Sequence, residues 1–279
     1  MKMRKYHSVL TIAGSDCSGG AGIQADIKTI SALGCYAASA ITAVTVQNTC
    51  GVTGIYPVPA SCVKAQIDAV MTDIKPEAIK IGMTNDTETV KAIAASIKEH
   101  KSRFVVFDPI MVSTSGCKLI EDTSMEAIRK ELIPLSTIIT PNLGEAMTLT
   151  GEDIDDTKSM TSAGRKILEL GCHAVLIKGG HLVGNNMCDV LCIDGEEKPY
   201  IYAAPKIQSK NTHGTGCALS SAIAAYLSMG ETLPNAVRKA KDYVRKGIMS
   251  GKDVITGNGH GPLNHFHSPV SMHIFTEDK

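Results

Sequence analysis

Short apolar runs alternate with amphipathic stretches along most of this chain. Residues 8–13 form the first run and read as a buried strand. The run breaks at Gly14-Ser15-Asp16-Cys17-Ser18-Gly19-Gly20-Ala21-Gly22, and a helix follows with Ile23, Ile27 and Ile30 on one face. Residues 36–46 are rich in Ala, Ile, Thr and Val and predict a second strand, which ends at Gln47-Asn48-Thr49. Residues 52–58 alternate apolar and polar between Gly51 and Pro59, as a short exposed strand does; with the end of the second strand they predict a β flap at about 48–58. From Ser61 onwards helices and strands take turns. Strands are predicted at 78–83, 104–107, 137–139 and 174–177, with helices at about 61–73, 90–97, 124–132, 143–149 and 159–170 between them. Such alternation means βαβ units with right-handed crossovers, hence a three-layer α/β domain: a mostly parallel sheet with helices on both faces. Residues 187–193 and 200–204 read as an antiparallel hairpin turning at Asp194-Gly195, and a last helix covers about 234–250. No linker or compositional break interrupts the series, so residues 1–279 predict one domain.

One stretch departs from this alternation. Asn211-Thr212-His213-Gly214-Thr215-Gly216-Cys217 holds two glycines and two β-branched threonines and resists helix, yet Leu219, Ile223 and Leu227 immediately after it keep helical spacing. A Gly-rich turn feeding a helix N-terminus points free backbone N–H groups at one spot, where the helix dipole also favours negative charge. The stretch predicts an anion hole, with Cys217 in the first helical turn, a position that favours a thiolate. A plain tight turn with a small packed cysteine would give the same local pattern.

Composition narrows the chemistry. Of 279 residues 43% are hydrophobic, aromatics are scarce and Trp is absent, so the core is built from Ala, Ile, Val, Leu and Met. The formal net charge is zero with both signs interspersed, and no basic run calls for nucleic acid. No apolar run approaches the ~20 residues of a membrane span, and the short apolar segment after the basic N-terminus is no signal-peptide core. Nine scattered cysteines without a CxxC pair suit reduced thiols in a cytoplasmic protein. The first Gly-rich turn lacks GxGxxG spacing, and GxxxxGK[ST] is absent, which excludes the dinucleotide fingerprint and the P-loop.

In an open parallel sheet ligands bind beyond the C-terminal strand ends. There the polar residues gather: Asp16 after the first strand, Asp108 at the end of 104–107, Thr140, Asn142 and Glu145 after 137–139, and Lys178 after 174–177. A lysine, carboxylates and an anion hole converging there describe a site for phosphate and a divalent cation, with Asp108 and Glu145 as sufficient ligands for Mg²⁺. Gln47, at the junction with the flap, offers a donor and an acceptor suited to an aminopyrimidine or pyridine edge. Structural alternatives stand beside each reading. Asn142-x-x-Glu145 also fits a capping box, Asp108-Pro109 a turn, Lys178 a snorkelling surface lysine and Gln47 a solvated loop residue; the three histidines of the tail from 259 to 267 read as structural.

Several motifs together, Thr11-Ile12-Ala13-Gly14-Ser15-Asp16, the run from Ser18 to Asp26, Lys80-Ile81-Gly82-Met83, Thr140-Pro141-Asn142-x-x-Glu145, Lys178-Gly179-Gly180-His181 and the 211–217 stretch, resemble the hydroxymethylpyrimidine/phosphomethylpyrimidine kinases of thiamine biosynthesis. The resemblance runs from about residue 8 to 267. It implies a ribokinase-like fold, ATP and Mg²⁺ as cofactors and phosphorylation first of the hydroxymethylpyrimidine alcohol and then of its monophosphate, in a homodimer. It implies a pyrimidine pocket at Gly14, Asp26, Gln47, Met83 and Ile110; catalysis by Gly214, Gly216, Lys178 and Cys217, the last as proton acceptor; ATP contacts at Asn142, Lys178, Thr212 and Thr215; and Mg²⁺ at Asp108 and Glu145. Pyridoxal kinases share much of this background and define the alternative substrate, while a non-catalytic binding protein would lack the intact loop, Lys178, Glu145 and Cys217.

Overall fold

The computed structural model describes residues 3–111, 119, 124–180 and 186–277. His181 of the Lys178 motif and Cys117 lie outside these residues. The strands are β1 (Met3–Tyr6), β2 (Ser8–Asp16), β3 (Tyr36–Asn48), β4 (Gly51–Pro57), β5 (Ala78–Ile81), β6 (Phe104–Phe107), β7 (Ile138–Ile139), β8 (Ala174–Ile177), β9 (Asn186–Ile193), β10 (Tyr200–Pro205) and β11 (Ile274–Glu277). The helices are α1 (Gly22–Ala32), α2 (Ala60–Asp73), α3 (Thr87–His100), α4 (Ser124–Ala127), α5 (Leu143–Thr150), α6 (Thr157–Leu168), α7 (Thr215–Ser228) and α8 (Leu233–Gly251).

A nine-stranded sheet in the order β10-β9-β8-β7-β6-β5-β2-β3-β4 forms the middle layer. Its six central strands from β8 to β3 are parallel, and antiparallel β4 closes one edge while β9 and β10 close the other. The parallel strands are near-continuous apolar runs because both faces are covered. One face packs Ile12, Ile79, Ile81, Phe107 and Ile177 against α2, α3, α5 and α6; the other packs Val9, Val106, Ile138 and Leu176 against α1, α7 and α8. The expected three-layer arrangement is therefore present, and every parallel strand delivers its C-terminal residue to one rim.

Three local readings differ from expectation. The helix expected at 124–132 is α-helical only to Ala127, then widens into a π turn over Ile128–Leu132 and tightens at Ile133–Leu135, where Pro134 offers no backbone donor. The β9–β10 hairpin exists, but pairing begins at Leu191↔Tyr200, so residues 194–199 form a connection longer than a two-residue turn. The basic N-terminal segment, read without structure, pairs as β1 with β11 in a separate two-stranded ribbon; its alternation is too polar to signal burial.

The expected flap is the β3–β4 pair. Its register slips between Val46 and Gln47, a bulge that leaves Thr45 and Gln47 facing inward while Val44 and Val46 face out.

Candidate active site

At the C-terminal rim two Gly-rich loops interlock. One joins β2 to α1 (residues 16–22), and the other leads into α7 (residues 211–217). Gly214 caps α7 with φ +76°, and a Cβ there would lie 1.9 Å from the Gly20 carbonyl oxygen. A Cβ on Gly20 would in turn strike the His213 ring at 2.4 Å. Glycine is thus required by backbone angle at 214 and by close approach at both positions. The contact leaves Thr215, Gly216 and Cys217, the first residues of α7, on the wall of a cavity of about 940 Å³, with the Thr215 N–H turned to the Thr212 carbonyl at 3.3 Å.

The same cavity collects side chains from successive strand ends. Lys178 Nζ lies 2.8 Å from Asp108 Oδ1, with the carboxylate 1% exposed. Thr140 Oγ1 donates to the same oxygen at 3.0 Å. Gly216 abuts this pair: an added Cβ would sit 3.4 Å from Asp108 Oδ2 and 3.5 Å from Lys178 Nζ. Anion hole, lysine and carboxylate therefore meet within one side-chain length. Lys178 is anything but a snorkelling surface residue; burial works against its charge, but Asp108 and Glu145 raise its pKa above the ordinary value.

Asn142 and Glu145 form the capping box that was the structural alternative to ligand contact. Asn142 Oδ1 accepts from the Glu145 N–H at 2.9 Å and Glu145 Oε2 accepts from the Asn142 N–H at 2.7 Å, a complete capping box for α5. Both residues also line the cavity. Burial pushes the Glu145 carboxyl up to about 7, with the Asp108 charge adding to the rise and Lys178 opposing it. One cation thus faces two buried carboxylates, and an added divalent cation fits the donor set. Among the described residues a three-ligand cluster with metal-like spacing lies elsewhere, at Asp68, Glu99 and His100, where Lys64 already bonds both carboxylates.

Gly14, Gln47, Met83, Ile110, Thr212 and Thr215 line the same cavity. A Cβ on Gly14 would lie 2.9 Å from the Met83 sulfur, so a larger residue there would make Met83 shift. Asp26 is different: it is fully buried, paired with Lys80 at 2.8 Å, and absent from the cavity lining. The structure places it one layer behind the expected pyrimidine pocket, because a carboxylate emerging on the first turn and a half of α1 meets the lysine of β5 before it can reach the rim.

Cys217 requires a correction as well. It lines the cavity, but the expected lowering of its pKa by the helix N-terminus does not prevail. Burial pushes the thiol up to about 11; Lys80 and the Gly22 N–H pull it down, and Asp26 and Asp108 oppose them. At neutral pH the resting group is a thiol.

Two residues acquire positions that sequence reasoning left without a role. Asp16 accepts N–H or O–H bonds from Ser18 (2.8 and 2.7 Å), Gly20 (3.2 Å) and Ala21 (2.8 Å). His213 Nε2 lies 2.9 Å from Asp16 Oδ2 and 3.2 Å from Gln47 Nε2, so it bridges both loops and the flap. A histidine wedged between Thr212 and Gly214 in a turn was the available signal. Burial works to raise the Asp16 pKa, but the bonds from His213, Ser18 and Ala21 outweigh it and hold the group at about 2, against an ordinary 3.8. A depressed carboxyl contributes stability above its unfolded pKa and loses it as pH falls through the folded one. Asp16→Asn should therefore cost about 2 kcal/mol at pH 7. Denaturant unfolding should show the gap narrowing as the pH falls below 4; a gap constant across that range would show that the charge of Asp16 is not what stabilises the loop.

This combination of a parallel α/β sheet, an anion hole at the N-terminus of α7 and a lysine–carboxylate pair facing it defines a small-molecule phosphotransferase of the ribokinase-like class. The phosphomethylpyrimidine kinase family model matches residues 16–264, and the chain belongs to that family. It is 48% identical over 259 residues to the hydroxymethylpyrimidine/phosphomethylpyrimidine kinase of Rhizobium meliloti, covering 92% of this chain and 96% of that one. It is 47% identical to a thiamine biosynthesis bifunctional protein of Geobacter sulfurreducens, of whose length it spans 52%. The structure resembles the phosphomethylpyrimidine kinase of Clostridium difficile 630 (TM-score 0.77, 43% identity, covering 86% of this chain and 99% of the other). It also resembles the pyridoxal kinase of Staphylococcus aureus in complex with pyridoxal (TM-score 0.86, 30% identity, covering 98% and 99%).

Proposed function

We propose that this kinase uses ATP to phosphorylate 4-amino-5-hydroxymethyl-2-methylpyrimidine and then its monophosphate, in thiamine biosynthesis. The observation that carries the reading is the 2.8 Å Lys178–Asp108 pair lying directly against Gly216 at the start of α7, in a cavity that Gly14, Gln47 and Met83 also line. The pyrimidine ring stacks beside Met83 with its amino edge towards Gln47, and its hydroxymethyl oxygen points at the α7 amides. The nucleotide enters over β10 and α8, where Tyr202, Val244 and Ile248 offer apolar surface and Arg238, Lys241 and Arg245 offer charge.

The second phosphorylation needs room for a phosphate already attached to the substrate, and the 940 Å³ cavity supplies it. Phosphoryl transfer depends mainly on positioning and charge neutralisation. The N–H groups of residues 215–217 hold the transferred group, Lys178 draws charge from the equatorial oxygens, and both act in a cavity where such interactions are strong. Asp108 and Glu145 would hold Mg²⁺, which would neutralise charge on the nucleotide phosphates. Cys217 stands where the alcohol proton must go; its minor thiolate form is the acceptor. The chain works as one domain, residues 1–279, whose flap at about 48–58 shields the transfer from water, and it acts as a cytoplasmic homodimer. The free thiols of the described cysteines accord with a reducing compartment. Among the described residues no helix is long and apolar enough to cross a membrane.

The testing experiment is a steady-state assay with hydroxymethylpyrimidine, its monophosphate and pyridoxal in parallel, each with and without Mg²⁺. Both pyrimidine substrates should be turned over with higher kcat/KM than pyridoxal, and only with the metal. Preference for pyridoxal would transfer the assignment to vitamin B6 salvage, the reading favoured by the Staphylococcus aureus neighbour. Cys217→Ala should lower kcat roughly a hundredfold with little change in pyrimidine KM; native turnover in that variant removes Cys217 as proton acceptor.

A further inference from the structure

Behind the cavity wall lies an ion pair to which the proposed reaction gives no task. Lys80 and Asp26 are both fully buried, with Nζ 2.8 Å from Oδ2 and 3.0 Å from Oδ1. Desolvating such a pair costs several kcal/mol, so stability alone is a weak reason for its presence. The pair is aimed rather than merely buried. Asp26 is fixed by Thr11 Oγ1 at 2.6 Å and by Ser221 Oγ at 2.7 Å. Ser221 stands one turn beyond Cys217 on α7, so the pair lies under the face that carries the thiol. On the strand side, a Cβ added to Gly82 would lie 2.7 Å from Lys80 Nζ and 3.1 Å from the Cβ of Ala13, which lines the cavity. The ammonium is thus one atomic layer from the site. The Gly22 N–H, at the start of α1, and the Lys80 ammonium both draw the Cys217 thiol downward against burial. Burial in turn works against the charge of Lys80, and the Asp26 carboxylate and then the Cys217 sulfur hold its pKa above the ordinary value.

We propose that Lys80, anchored by Asp26, is a positioning residue for phosphoryl transfer: its buried ammonium supplies the positive charge that lets the Cys217 sulfur carry negative charge and take the substrate proton. This rests on the reading of Cys217 as proton acceptor. In the step, the thiolate takes the hydroxyl proton and the alcohol oxygen bonds to the γ-phosphorus of ATP. The bond from that phosphorus to the bridging oxygen breaks, and its electron pair stays on the departing ADP. The thiol afterwards returns its proton to solvent. Asp26 serves as counter-ion to Lys80 rather than as a pyrimidine contact, and it limits the field that Lys80 exerts.

The two charges act on the sulfur with opposite signs, which separates this role from a structural one. Lys80→Met, Asp26→Asn and the double variant K80M/D26N are compared with the native enzyme by the rate at which iodoacetamide labels the Cys217 peptide, read by mass spectrometry at fixed pH. Labelling should fall roughly tenfold in K80M, rise in D26N, and lie between native and K80M in the double variant. If K80M alone fails to fold, D26N and the neutral double variant still give the order. In kinetics K80M/D26N should lower kcat while pyrimidine KM moves less than about twofold, and it should cause no further loss in a C217A background. Labelling shifts of the same sign in K80M and D26N, or an equal kcat loss with and without Cys217, overturn the proposal. Native turnover in C217A alone would instead overturn the role of Cys217, independently of Lys80.

Discussion

Lys178→Met should lower kcat by roughly 10²–10³ while the pyrimidine KM changes little, measured by ADP release under saturating nucleotide. Two effects act in the same direction. The variant removes the cation that faces the transferred group. It also leaves Asp108, 1% exposed, with the Thr140 and Ser220 hydroxyls as its side-chain partners among the described residues, so a carboxylate without its cation confronts the nucleotide phosphates. In the double variant K178M/D108N, any kcat restored relative to K178M would show that repulsion by the orphaned carboxylate outweighs the loss of Asp108 as a Mg²⁺ ligand. Unimpaired turnover in K178M would remove the lysine from the mechanism and, with it, the observation on which the kinase geometry rests.

The other large effect is expected from the backbone. Gly214→Val should abolish measurable turnover, a loss of roughly a thousandfold or more, because the anion hole exists only while Gly214 keeps its left-handed conformation. A β-branched residue at φ +76° is strained in itself, and its Cβ would lie 1.9 Å from the Gly20 carbonyl oxygen, so one loop must move. The melting temperature should fall with the activity, and ATP should no longer raise it. A variant that still gains thermal stability from ATP and turns over normally would show that the α7 amides are not where the phosphoryl group is held.

Much of this geometry was legible in the residues because it obeys local rules. Periodicity separated strands from helices, and the rule that ligands gather at C-terminal strand ends pointed to Asp108, Asn142, Glu145 and Lys178 before any coordinates. The flap was legible from alternation in 52–58. What escaped depends on contacts between distant segments. Asp26 looked like a pocket residue in a motif, and only its burial beside Lys80 of β5 shows that the lysine claims it. The thiol of Cys217 was judged from its helix position alone, but burial outweighs the dipole. His213 stood in the most conspicuous motif of the chain and still had no role, because its partners are 197 and 166 residues away. Glu145 caps α5 and still lines the cavity, and capping leaves it a second carboxylate oxygen free of that bond.

The mutual clearance of the two glycine loops has a consequence for changing what this enzyme accepts. With Gly20 pressed against His213 and Gly214 against the Gly20 carbonyl, the lip formed by residues 16–22 and the lip formed by 211–217 are fitted closely to each other. Grafting residues 14–22 from a relative with another vitamin substrate would therefore disturb transfer as well as recognition. Chimeras that exchange 14–22 and 211–217 together should retain turnover that single-segment exchanges lose, so the heritable unit of specificity here is a pair of segments far apart in the gene.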